Sequence, residues 1–217
     1  MQSPIHIAVL ISGSGATLQN LIDLTAARAL NAKIVTVIAS KAHLIGAERA
    51  KHAGLPVVVL DPSHASPADR GREIFDLCDR QRVDLVCLAG WLRLIHIPDR
   101  WLGRVMNIHP SLLPSFGGKG MFGHHVHEAV VAHGCRVSGC TVHYVDNEYD
   151  AGPIILQRAC PVISADTPSQ VAVRVFEEEK IAYPEAIRLH QQGRLSIDGR
   201  TVRVSPVKIV EPQMNSD

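Results

Sequence analysis

The sequence predicts an α/β protein built on a doubly wound, mostly parallel sheet with an antiparallel C-terminal extension. Three observations carry that expectation. Near-continuous apolar runs recur at Ile5–Ile11, 34–39, 57–60 and 85–89, the mark of strands covered on both faces. Stretches with helical spacing separate them, as the crossovers of a parallel sheet require. Beyond residue 137 the pattern changes to alternating strands, one long helix and a final hairpin.

The first strand runs into Ser12-Gly13-Ser14-Gly15-Ala16-Thr17, after which Leu18, Leu21, Ile22 and Leu24 fall at helical spacing. Strand, glycine turn and helix start together suit an anion, because glycine closes the backbone tightly and the first helical amides are free. The dinucleotide pattern GxGxxG fails here. Its third glycine position holds Leu18, and Ser40-Lys41 rather than an acid follows the second strand. The GxxxxGK[ST] loop is absent too, so a mononucleotide-type phosphate is the expected occupant.

Residues 47–53 read as a helix closing at Gly54, and 57–60 as the third strand. Residues 67–82 read as a helix with Ile74, Leu77 and Cys78 inward. The fourth strand, 85–89, ends in Gly90-Trp91-Leu92-Arg93, and 98–102 makes a short helix or turn. Val105-Met106 then leads into Asn107-Ile108-His109-Pro110-Ser111-Leu112-Leu113-Pro114. Period-2 geometry puts Asn107 and His109 on one face of a strand end, and Pro110 and Pro114 stiffen the turn after it. The glycine turn, 90–93 and 107–109 all fall at the carboxyl ends of strands, where such sheets bind ligands.

From Gly117 to Gly123 the chain is too rich in glycine for regular structure. Residues 125–133 read as a short helix. Residues 138–146 form a strand with Thr141, His143 and Val145 on one face and Cys140, Val142 and Tyr144 on the other. An acidic turn, a return strand at 154–162 and a helix from Thr167 to about Gln192 follow, with Thr167 as its cap and Pro168 in its first turn. The hairpin turns at Asp198-Gly199, and 211–217 reads as a frayed tail.

Composition sets limits. A chain of 217 residues can bury a sizeable core, and no repeat or linker divides it, so one domain over 1–217 is expected. Lys+Arg 22 against Asp+Glu 21 leaves no net field to draw nucleic acid or a membrane surface. Aromatics at 4% argue further against a base-stacking platform. No signal peptide is recognisable and no apolar run reaches membrane-spanning length, so a cytoplasmic protein is expected. Five cysteines without CxxC spacing, mostly in apolar runs, point to reduced, buried thiols.

Asn107 and His109 need a carboxylate to complete an acid–base set, and the acidic turn offers Asp146, Glu148 and Asp150. Spacing does not choose among them. A carboxylate beside His109 is expected to stabilise the imidazolium and raise its pKa. No metal is expected: His124, His125, His127 and His133 cluster, yet His127-Glu128 is followed by His133 without HExxH spacing. Ser111 lacks a GxSxG elbow, and no cysteine has an activating context. Amide, imidazole and carboxylate together suit transfer of an acyl or formyl group to an amine, the amide holding the oxyanion and the imidazole moving the proton.

With these residues in view, the chain resembles the phosphoribosylglycinamide formyltransferases, folate-dependent enzymes of purine biosynthesis. The resemblance is carried by 107–114, by Gly139-Cys140-Thr141-Val142-His143-Tyr144-Val145 and by Asp150-Ala151-Gly152-Pro153-Ile154-Ile155-Leu156-Gln157. Ile11-Ser12-Gly13-Ser14-Gly15 and Leu88-Ala89-Gly90-Trp91-Leu92-Arg93 extend it over nearly the whole chain. It implies a Rossmann-like, formyltransferase-type sheet with a mononucleotide half at 1–110 and a folate and catalytic half at 111–205. It implies Asn107, His109 and Asp150 as the catalytic trio, acting by direct amine attack without a metal. Gly15, Ala16, Thr17, Asn107 and Glu179 would hold phosphoribosylglycinamide. Leu92, Arg93, Leu94, Ile95, Asn107 and Arg72 would hold 10-formyltetrahydrofolate as co-substrate. A monomer or homodimer acting on small molecules is implied, with no nucleic-acid or membrane partner.

Four departures stand out. Phe176 occupies a position that is usually polar or basic, three before Glu179. The loop 117–125 is longer than usual, while the span from Trp91 to Asn107 and the helix around Arg72 are shorter. The central motifs are shared with other formyltetrahydrofolate enzymes, so a formyltetrahydrofolate deformylase is the nearest rival. The glycine turn at residue 11, with no domain before it, favours the transferase over that rival and over sugar-nucleotide formyltransferases. A transfer-RNA formyltransferase would need a C-terminal module for which there is no room. A non-catalytic mononucleotide-binding regulator would leave Asn107, His109 and Asp150 unexplained.

Overall fold

The computed structural model describes residues 3–61 and 66–206; the tail at 211–217 lies outside the described residues. Nine strands make one sheet: β1 (Ile5–Ile11), β2 (Ala32–Ala39), β3 (Val57–Val59), β4 (Leu85–Leu88), β5 (Val105–His109), β6 (Val137–Tyr144), β7 (Ile154–Pro161), β8 (Leu195–Asp198) and β9 (Thr201–Val204). Their order is β3-β2-β1-β4-β5-β6-β7-β9-β8. The first five run parallel, and the direction reverses between β5 and β6. The doubly wound sheet with an antiparallel extension is therefore what the sequence predicts.

Strand alternation sorts the core into two layers. Ile5, Ile7, Val9 and Ile11 of β1 point into one cluster with α1 (Ala16–Ala26), α2 (Ile45–His52), α4 (His124–Ala132) and α5 (Pro168–Gln191). Ala8 and Leu10 point into the other, against Ile74, Phe75 and Cys78 of α3 (Pro67–Arg80) and Trp101. Helix α5 begins with a capping box between Thr167 and Gln170 and a proline in its first turn, as its sequence suggests. Its buried Tyr183 reaches across the layer, the hydroxyl lying 2.9 Å from the Leu88 carbonyl and 3.0 Å from that of Met106. The carboxyl ends of β4 and β5 are thus braced from below.

The five cysteines are free thiols, and burial pushes Cys78, Cys87 and Cys140 up to about 12. Among the described residues no helix is long and apolar enough to cross a membrane.

Candidate active site

Asn107 and His109 sit at the end of β5, the last parallel strand. On β4, Leu88 pairs with Asn107; on β6, His143 pairs with Asn107 and Thr141 with His109. The turn after β5 is fixed from β6 and β7. Thr141 donates its hydroxyl to the Ser111 carbonyl at 2.7 Å and accepts the Leu113 N–H at 3.0 Å, while Gln157 donates to the Leu113 carbonyl at 2.9 Å. Ser111 donates to the Ser115 carbonyl at 2.6 Å, bracing the turn.

His109 is 3% exposed. Its Nε2 lies 2.9 Å from the Phe116 carbonyl, which can only accept, so the ring proton is on Nε2 and Nδ1 is the free base. That Nδ1 stands 3.5 Å from Asp150 Oδ2. Of the three candidate carboxylates, Asp150 is therefore the one brought to the histidine. Asp146 instead accepts the Glu148 N–H within the turn at 2.9 Å, and Glu148 is exposed.

Asp150 takes a left-handed backbone (φ 54°) and receives the Gly118 N–H on Oδ2 at 2.9 Å. Gly152, two residues on, packs so closely on the Tyr144 carbonyl that a side chain there would collide with it. Burial works against the Asp150 charge, yet the polar groups around it, the Gly118 N–H among them, hold its pKa below the ordinary carboxylate value.

The expected rise in the His109 pKa is not found. Burial is the largest influence and drives it below 6.5, although the Asp150 charge and the Phe116 carbonyl pull the other way. A carboxylate at 3.5 Å does not offset the loss of water around a nearly sealed ring. The histidine is neutral near pH 7, which suits a base.

Two clefts meet at this point. The larger, of about 300 Å³, is lined by Gly90, Leu92, His109, Lys119, Phe122 and neighbouring groups. The smaller, of about 50 Å³, is lined by Leu88, Arg93, Leu94, Ile95, His143 and Glu148 among others. Asn107, Trp91, Tyr149 and Asp150 line both. Leu92 lies on the larger cleft and Arg93, Leu94 and Ile95 on the smaller, beside Asn107 and Asp150.

The glycine turn joins the same edge. Gly15 caps α1 with φ 72°, and a Cβ on it would lie 2.6 Å from the Gly46 Cα. Ser12 accepts the Leu92 N–H on its hydroxyl at 3.3 Å and gives its own N–H to the Gly90 carbonyl at 3.1 Å, tying the turn to the larger cleft. Arg49 of α2 donates to the Ser14 carbonyl at 3.0 Å. Ala16 and Thr17 open the helix with their amides toward the turn.

Two expected residues do not join this cluster. Arg72 is 70% exposed at its side chain and pairs with Asp69 at 2.9 Å on the outer face of α3, lining neither cleft. Arg70, two residues earlier and on another face of the helix, is the arginine that reaches the cleft loop, donating to the Leu94 carbonyl at 3.0 Å. Glu179 lies half-buried on α5 and lines neither cleft; burial raises its pKa to about 7. Near Phe176, the Lys180 ammonium lies 5.8 Å from the ring centroid and pairs with Glu177 at 2.6 Å.

Sequence reasoning missed His143 and Arg49. The first shares a strand face with Thr141 and lies within a motif that carries the resemblance, but neither gives it a role. The second lies far along the chain from the turn it braces, and no local pattern announces it. Among the described residues no group of three or more His, Cys, Asp or Glu side chains is arranged to hold a metal; His124 and His125 are exposed beside Glu128.

Residues 5–187 match the family described as Formyl transferase. The chain is 36% identical over 215 residues to the chloroplastic phosphoribosylglycinamide formyltransferase of Arabidopsis thaliana, covering 97% of this chain and 72% of that protein. It is 40% identical over 196 residues to the trifunctional purine biosynthetic protein adenosine-3 of Gallus gallus, covering 89% of this chain but only 19% of that longer protein. The crystal structure of glycinamide ribonucleotide transformylase 1 from Symbiobacterium toebii superposes with a TM-score of 0.83 at 41% identity, over 94% of this chain and 95% of that one. A formyltetrahydrofolate deformylase from Pseudomonas syringae superposes with a TM-score of 0.81 at 25% identity, over 94% of this chain and 67% of that one.

Proposed function

The chain belongs to the formyl transferase family, and on that premise we propose that it moves a formyl group from 10-formyltetrahydrofolate to the amine of phosphoribosylglycinamide, a step of purine biosynthesis. The observation that carries the reading is the meeting of a free imidazole nitrogen, a carboxylate 3.5 Å from it and the Asn107 carboxamide where two clefts join.

The lining of the smaller cleft suits one end of a folate, the rest of the molecule extending beyond its 50 Å³. Leu88, Trp91, Leu94, Ile95 and Val145 give the smaller cleft apolar walls, and Asn107 and Asp150 give it a polar end. Bound there, the folate supplies the formyl carbon. The glycine turn at Gly15, Ala16 and Thr17 would take the phosphate of the amine substrate, with Arg49 holding the turn in shape. Glu179, whose pKa burial raises to about 7, would meet a ribose hydroxyl.

The chemistry follows from the charges. Asn107 offers an N–H to the formyl oxygen as it gains negative charge. His109 Nδ1 takes the proton that the attacking amine releases, and Asp150 stabilises the imidazolium so formed. The same ring returns the proton to the departing nitrogen. In the free protein Nδ1 and Asp150 are two acceptors side by side, a pair that an N–H of the amine would bridge.

The experiment is a spectrophotometric assay of the deformylated folate with and without phosphoribosylglycinamide. Product that depends on the amine supports the transferase. Equal product without it would turn the assignment to a deformylase, with water as the acceptor.

A further inference from the structure

His143 has no part in the mechanism above, yet it is 1% exposed and stands directly across β6 from Asn107. Its Nδ1 lies 2.8 Å from the Tyr144 carbonyl. A carbonyl oxygen only accepts, so Nδ1 carries the ring proton, and in the neutral ring Nε2 is a bare acceptor. Asn107 Nδ2 lies 3.1 Å from that Nε2. The carboxamide therefore turns its NH₂, not its oxygen, toward the ring.

One N–H is used in this way. The second N–H and Oδ1 then take fixed directions in the two clefts that Asn107 lines. A carboxamide held by nothing else has two nearly isosteric orientations that exchange donor for acceptor. In the wrong one, an oxygen lone pair would face the developing oxyanion. We propose that His143 is a positioning residue that selects the amide orientation of Asn107, its own tautomer being set by the Tyr144 carbonyl. The consequence for catalysis rests on the formyl-transfer reading; the geometry does not.

The carbonyl that sets the tautomer is itself immobile. The Tyr144 N–H donates to the Pro153 carbonyl at 2.9 Å, and Gly152 packs against the Tyr144 oxygen. The titratable groups that face the ring are Asp150 and His109. Asp150 Oδ1 lies 3.8 Å from Nε2, too far for a hydrogen bond. A doubly protonated ring would instead give Nε2–H to Asp150 and turn the Asn107 oxygen inward, so the two arrangements are mutually exclusive.

The test reads the tautomer and the rate separately. In ligand-free, ¹⁵N-histidine-labelled protein, with His143 identified by its loss in His143→Gln, the proton is expected on Nδ1 alone at pH 7.5. His143→Leu, which offers no acceptor, should lose roughly a hundred- to a thousand-fold in kcat, as loss of an oxyanion donor does, with both KM values within about threefold. His143→Gln, whose Oε1 can stand near the Nε2 position, should recover at least about tenfold of that loss. A proton on Nε2, alone or together with Nδ1, overturns the proposal whether or not the protein transfers formyl groups. So does a His143→Leu variant that melts like wild type and turns over within about threefold of it. Should that variant fail to fold, the wild-type tautomer decides. An Nδ1 tautomer in a protein that never transfers a formyl group overturns the functional reading alone.

Discussion

On one side of β5 the strands are parallel and reach the candidate site with a backbone turn; on the other they are antiparallel and reach it with side chains. The parallel side offers the turn before α1, where Gly15 lies against Gly46 and Arg49 holds the Ser14 carbonyl. The antiparallel side delivers His143 from β6 and Asp150 from the turn before β7, both nearly out of solvent. The difference has a geometric cause. Parallel strands release their loops at one edge, which suits gripping a ligand's phosphate or ring. Antiparallel neighbours put side chains face to face across the ladder, which suits exchanging a proton. Asn107 and His109 sit on the seam and answer to both sides.

Five substitutions would break or sharpen this division. The largest effect is expected at the seam: His109→Ala should lower kcat by about a hundred- to ten-thousand-fold while both KM values stay within about threefold. Steady-state kinetics beside the wild type check it. On the gripping side, Gly15→Ala places a Cβ 2.6 Å from Gly46 and forces a left-handed backbone on alanine. Strain of about 1–3 kcal/mol there should raise the KM for the ribonucleotide about tenfold or more and leave that for the folate unchanged. Equal changes in both KM values would show that the two sides are not separate.

Glu179 tests α5, which runs behind both sides. Its pKa rises from 4.5 to about 7, so the folded state holds the proton more tightly than the unfolded chain does. The stability this contributes is complete below pH 4.5 and is lost as pH rises through 7. Relative to Glu179→Gln, the wild type should lose on the order of 1–3 kcal/mol between pH 4.5 and 8, read as a steeper fall of Tm with pH. Parallel Tm curves would remove the buried acid. The smallest effect is expected at Arg72. Arg72→Ala should leave the folate KM within about twofold, whereas Arg70→Ala, which frees the Leu94 carbonyl, should raise it several-fold.

How much of the molecule is legible in the sequence divides along the same seam. The apolar runs at β1, β2 and β4 and the glycine turn announce the parallel side directly, because burial on both faces leaves an unbroken mark. Period 2 puts Asn107 and His109 on one face. Spacing cannot choose Asp150 over Asp146 and Glu148, since only the folded turn decides which carboxylate reaches the ring. His143 is visible on its strand face but not as a partner of Asn107, because register across β5 and β6 is a property of two strands, not one. Arg72 and Arg70 lie two residues apart, and helix phase, fixed by packing of Ile74, Phe75 and Cys78, turns one outward and the other to the cleft loop. The direction of the His109 shift is beyond reach for the same reason: depth of burial is set by the whole fold.

The central claim is that burial keeps His109 a free base while Asp150 stands ready for its charge. It is tested by titrating the His109 ring by NMR in the ligand-free protein and in Asp150→Asn, with the resonance assigned by its loss in His109→Ala. The expected midpoint lies below 6.5, and lower still in Asp150→Asn, because removing the carboxylate removes a raising influence. A midpoint above 6.5, or one that Asp150→Asn leaves in place, would contradict the account.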